Sequence, residues 1–120
     1  MKVVSVYDGD TFTIESQSLG GIMAELPNLR VRIRDLDTPE KGAQAKCKAE
    51  RDHALIVTRE AKRLIAGSDN VVIIENLDWD KYGGRINADV YLSDGRSLAE
   101  VLIKFGHARY YDGKKRGSWC

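Results

Sequence analysis

Three carboxylates and two arginines stand where the strand patterns of this sequence break. Asp10 closes the run Asp8-Gly9-Asp10-Thr11, Asp37 and Glu40 flank Thr38-Pro39, Arg32 lies five residues before Asp37, and Arg85 opens a later apolar stretch. Hard cations such as Ca²⁺ take oxygen ligands, carboxylates together with backbone carbonyls and water. Asp10 and Asp37 supply two carboxylates if their strands pair, and the Thr38 carbonyl is a third donor. Glu40 then lies close by to accept a proton from a water near the cation. Arg32 and Arg85 can each pair bidentately with phosphate oxygens. One divalent cation, two guanidinium groups and a carboxylate base suit phosphodiester hydrolysis: they neutralise the phosphate, orient water and stabilise charge as it develops.

Each piece also has an ordinary reading. Asp-Gly is a common hairpin turn. Thr38 suits a helix cap, Pro39 the first helical position, and Glu40 the positive helix end. Residues 80–85 read as a Gly-rich turn with solvated charges. These readings leave Asp37 and the position of Arg32 unexplained, whereas the chemical reading accounts for all of them together.

The elements that must position these groups follow from periodicity. Residues 2–15 alternate (Val4, Val6, Phe12, Ile14) around the interruption at 7–11, and residues 29–36 form the next strand, with Val31, Ile33 and Leu36 inward. Residues 16–28 carry turn formers, Gly20-Gly21 and Pro27-Asn28. From 44 to 66 the period becomes helical, with Cys47, Ala54, Val57, Thr58, Ala61, Leu64 and Ile65 on one face and Gly67 as the stop. Residues 71–75 and 86–92 are apolar strands, and Ser97 with Glu100 forms a capping box for a short helix ending at Gly106. The expectation is an α+β protein, mainly β: a five-stranded OB-type Greek-key barrel with two to three helices, one domain spanning 1–120.

Composition narrows the partners. Nineteen basic against eighteen acidic residues give a formal charge of +1 over 120 residues. A protein gripping duplex DNA by charge alone is usually more basic, so a polyanion here must be held by a local constellation. No apolar run approaches the roughly 20 residues that cross a bilayer, so no membrane role is expected. The start shows no signal-peptide pattern. The expected location is the cytoplasm, or a secreted or periplasmic one if a leader was removed. Cys47 and Cys120, the only cysteines, are too few for a zinc site. They read either as a buried thiol and a terminal thiol or as a disulfide tying the C-terminal end to the first helix.

"DGDT" after the first strand, "R-x-x-x-x-D-T-P-E" ending a later one, and "DKYG-x-R" before another resemble the staphylococcal nuclease (thermonuclease) family, over residues 3 to about 112. The resemblance implies an OB-type barrel and a Ca²⁺-dependent phosphodiesterase cutting DNA, RNA or both with little sequence preference. By it, Asp10, Asp37 and the Thr38 carbonyl hold one Ca²⁺, Asp8 orders the metal's waters, and Glu40 is the base or water positioner. Arg32 and Arg85 bind phosphate, and Lys81 and Tyr82 contact the nucleotide. Tyr111 is a candidate for stacking a base. The chain departs from the pattern by the second glycine in Gly83-Gly84, by a short segment after Glu40, and by ending before the family's long third helix. A cluster of Lys104, Arg109, Lys114, Lys115 and Arg116 against Asp112 reads as solvated surface or as a rim that steers single strands. His53 and His107 receive no role. A monomer is expected. The competing readings are a weak or inactive domain of the same fold that binds nucleic acid or protein, and a structural Ca²⁺ module.

Overall fold

The computed structural model describes residues 1–15, 28–81, 84–113 and 117–120. Among the described residues, seven strands and two α-helices follow in the order β1 (Val3–Val6), β2 (Thr11–Ile14), β3 (Leu29–Ile33), β4 (Leu36–Asp37), α1 (Lys48–Gly67), β5 (Val72–Trp79), β6 (Arg85–Leu92), α2 (Leu98–Lys104) and β7 (Arg109–Tyr110), with one 3-10 turn at Gly42–Gln44 between β4 and α1. Five strands form one mixed sheet in the order β1-β2-β3-β6-β5, and β4 pairs with β7. Among the described residues only β3 and β6 run parallel, with Arg30 opposite Arg85 and Arg32 opposite Asn87. An isolated antiparallel bridge from Lys2 to Val71 links the beginnings of the two outer strands.

The alternation in sequence is the alternation in burial. Phe12, Ile14, Val31, Ile33, Ile86, Ala88, Val90 and Leu92 point into one core with Leu64 and Ile65 of α1 and Leu98 and Leu102 of α2. Each fully buried aliphatic or aromatic side chain of this kind contributes roughly 1.5–3 kcal/mol over leaving it in water. Ser97 caps α2 by accepting from the Glu100 amide at 3.3 Å, as the capping box requires. No helix among the described residues is long and apolar enough to cross a membrane.

Four boundaries differ from the sequence expectation. The strand expected over 29–36 divides, because Asp35 takes a left-handed conformation at φ 56°. Leu36 and Asp37 then leave the large sheet and pair with Tyr110 and Arg109. The helix expected from 44 starts at Lys48, since Cys47 caps it and the preceding backbone is drawn into a loop by Glu50. Gly67 is the last helical residue rather than the breaker; the chain reverses through left-handed Asp69 and Asn70. Strand β5 also runs on to Trp79, past a register shift between Glu75 and Asp78. Residues 16–27, where turns were expected, lie outside the described residues.

Candidate active site

The acidic turn is built by local hydrogen bonds. The Tyr7 and Asp8 amides donate to the Thr11 carbonyl at 3.0 and 3.2 Å, which folds the chain between β1 and β2. The Asp10 amide donates to Asp8 Oδ1 at 3.2 Å, and the Thr11 hydroxyl donates to Asp10 Oδ1 at 3.0 Å. The turn reading is therefore correct, and the turn also aims both carboxylates to one side. Gly9 is required by closeness: a Cβ there would sit 2.4 Å from Val57 Cγ1 and 3.1 Å from Thr38 Cγ2. That contact seats Thr38 directly against the acidic turn.

Arg32 ties the turn to the segment carrying Asp37. It faces Thr11 across the β2–β3 ladder. Its Nη2 lies 3.8 Å from Asp10 Oδ2 and donates to the Leu36 carbonyl at 3.2 Å. Arg85 arrives from β6, its Nε donating to Asp80 Oδ2 at 3.1 Å. Asp80 is itself buried and closes the hairpin, its amide bonding the Arg85 carbonyl at 2.9 Å. Asp8, Asp10, Arg32, Glu40 and Arg85 line one hollow of about 340 Å³. Five of the residues singled out in the sequence thus share one space. Burial first, and then the Asp10 and Glu40 charges, push the Asp8 carboxyl up to about 8.

The other candidates sit around this hollow. Asp37 and Thr38 are buried, at 3% and 2% exposure. Asp37 lines a neighbouring hollow rather than that of Asp10, and its Oδ2 accepts from the Trp119 indole at 3.1 Å. Lys81 and Tyr111 share a third hollow with Arg32 and Arg85, in which Asp80 and the half-exposed Trp79 also stand. Tyr82, Gly83 and the basic residues 114–116 lie outside the described residues. Cys47 and Cys120 are joined as a disulfide, with Cα atoms 6.0 Å apart.

The donor set suits a hard divalent cation. Asp10, Asp37 and the Thr38 carbonyl offer oxygen only, the ligand type hard cations take, although the two carboxylates line different hollows. No group of three or more His, Cys, Asp or Glu among the described residues forms a cage on its own. Ligation through two carboxylates and a carbonyl would have to be completed by water.

Sequence reasoning missed the groups that hold the site. Glu50, buried at 4% exposure, accepts from the Glu40 amide at 2.9 Å and the Lys46 amide at 2.8 Å. A signal existed, because Glu50 is the third helical residue after its cap, where a carboxylate reaches backward. From sequence, Asp80 reads as a solvated turn charge, and Trp119 only as an aromatic neighbour of the basic C-terminal cluster. His53 and His107, given no role, hydrogen-bond to each other at 3.2 Å. Burial, then the charges of His107 and Arg109, lower the His53 pKa.

A mixed five-stranded sheet with acids and arginines gathered at the ends of its strands defines an α+β domain with a polar hollow on the sheet. The model of the family described as staphylococcal nuclease homologue matches residues 30–118, and the chain belongs to that family. It is 30% identical over 111 residues to a protein of Escherichia coli named "Uncharacterized endonuclease", covering 92% of this chain and 60% of that protein. A protein of the same name from Escherichia coli O157:H7 is 29% identical over the same length. The chain spans about 60% of the length of these curated relatives.

Proposed function

We propose that this chain is a Ca²⁺-dependent phosphodiesterase that hydrolyses DNA, RNA or both with little sequence preference. The observation that carries this reading is the convergence of Asp8, Asp10, Arg32, Glu40 and Arg85 on one hollow. Asp10, Asp37 and the Thr38 carbonyl would hold the cation, with Asp8 ordering the waters around it. The cation supplies a Lewis acid that acidifies water and neutralises phosphate. The protein's own groups do the rest. Arg32 and Arg85 bind non-bridging phosphate oxygens and stabilise the charge that gathers on them as water attacks phosphorus. Glu40 accepts the proton that the attacking water gives up, the P–O bond to one nucleoside breaks, and the leaving oxygen takes a proton from bulk water. Lys81, Tyr82 and Tyr111 contact the nucleotide beside the phosphate. The bridge between Lys2 and Val71 supports closure of the sheet into a five-stranded OB-type barrel, and the working form is taken to be a monomer.

The test is cleavage of single-stranded DNA and of RNA by the purified protein with Ca²⁺, with Mg²⁺ and with chelator. Loss of cleavage on chelation is expected, and Glu40→Gln is expected to keep Ca²⁺ binding while losing most of the rate. An unchanged rate in Glu40→Gln would refute its role. A second reading, a domain that binds nucleic acid without cutting it, draws on the ion pairs that already engage Arg32 with Asp10 and Arg85 with Asp80. Tight retention of single strands with no cleavage in Ca²⁺ would select it.

A further inference from the structure

We propose that Trp119 is a positioning residue for Asp37, held in place by the Cys47–Cys120 disulfide, so that residues 117–120 act as a strap that orients the carboxylate expected to hold the cation. This rests on the calcium reading above. The Trp119 indole donates to Asp37 Oδ2 at 3.1 Å across 82 residues of sequence. An indole N–H is a donor only. Bonded to one oxygen of a buried carboxylate, it restricts the rotation of that carboxylate.

The strap has several independent fastenings. The Arg109 guanidinium lies 3.7 Å from the centre of the Trp119 ring, and its Nη2 donates to the Ser118 carbonyl at 2.6 Å. Arg109 is also the cross-strand partner of Asp37, so one strand pair carries both the carboxylate and the seat of the indole. His53 meets the ring edge-on at 5.4 Å. Gly117 lets the chain pass Arg109, since a Cβ there would sit 2.5 Å from Nη1. Cys120 is bonded to Cys47, which is the cap of α1, so the strap ends on the helix whose Glu50 holds the Glu40 amide. The disulfide therefore connects the orientation of Asp37 with the frame that carries Glu40.

Partners that orient a metal ligand are worth a large factor: their loss weakens metal binding by about 10- to 100-fold. The deciding variant is Trp119→Phe, which keeps an aromatic ring for Arg109 and His53 and deletes only the donor. Calorimetric titration of the oxidised protein with Ca²⁺ is expected to show affinity lower by that factor, with cleavage of single-stranded DNA recovering at saturating Ca²⁺. Reduction of the parent protein is expected to act in the same direction. A dithiol reductant supplies two electrons and two protons, the S–S bond breaks, two thiols form, and the reductant leaves as its cyclic disulfide. A readout without cation or activity is the indole ¹⁵N–¹H resonance of Trp119, which is expected to move in Asp37→Asn. Unchanged Ca²⁺ affinity in Trp119→Phe, or an indole resonance indifferent to Asp37→Asn, overturns the strap while leaving the calcium reading intact. A parent protein that takes up no Ca²⁺ overturns the calcium reading and this role with it.

Discussion

Glu50→Gln isolates the anchor beneath Glu40. The Glu50 carboxylate is 4% exposed and accepts two backbone amides, Glu40 at 2.9 Å and Lys46 at 2.8 Å, so it draws residues 40–46 down onto the start of α1. Glutamine has nearly the same shape but only one acceptor oxygen. Its NH₂ must face one of the two amides, leaving a buried donor unpaired at about 1–3 kcal/mol, and the surviving bond loses its ionic partner, about 1 kcal/mol more. The expected loss is roughly 3 kcal/mol, which lowers the unfolding midpoint of a domain of this size by roughly 10–15 °C. Because the Glu40 amide is one of the two, Glu40, the proposed base, is expected to shift as well. A misplacement of about 1 Å can cost up to roughly 100-fold in rate, so kcat on single-stranded DNA should fall by about 10- to 100-fold at a temperature where the variant is still folded. The assays are thermal unfolding by circular dichroism and initial rates at saturating Ca²⁺. A midpoint within about 2 °C of the parent's refutes the anchor, and a lowered midpoint with unchanged kcat refutes the link from anchor to base.

Other consequences are as direct. Asp80→Ala frees Arg85, so its rate should fall as far as that of Arg85→Ala, and the double variant should be no slower than Arg85→Ala alone; independent, multiplying losses would sink this. Gly9→Ala forces a methyl to within 2.4 Å of Val57 Cγ1, an overpacking cost of about 1–3 kcal/mol, and combining it with Val57→Ala should lower the midpoint by less than the two single losses added together. Asp8, pushed up to about 8 by burial and by the Asp10 and Glu40 charges, holds its proton more tightly folded than unfolded. Its contribution is therefore full below about pH 4 and lost as pH rises through about 8, so the chelated protein should melt lower at pH 8.5 than at pH 5. Ca²⁺ should reverse that fall, and Asp8→Asn should remove it; a chelated parent whose midpoint rises between these pH values contradicts the assignment.

Local chemistry was legible in the linear order of residues. The Asp8–Thr11 turn forms through bonds between neighbours, the two-residue alternation of β6 and the helical period of α1 set which faces are buried, and Ser97 caps where its spacing to Glu100 says it should. The same order placed Asp10, Arg32, Glu40 and Arg85 near strand ends. Partnership over distance was settled only by the tertiary structure. Trp119 bonds Asp37 across 82 residues and Cys47 meets Cys120 across 73, while Asp35, left-handed at φ 56°, takes Asp37 off the large sheet altogether. Turns and amphipathic faces are decided by a few adjacent residues through steric and hydrophobic terms that repeat with a fixed period. The pairing of a buried polar group depends on which surfaces the whole core brings together, and no period in the sequence encodes that.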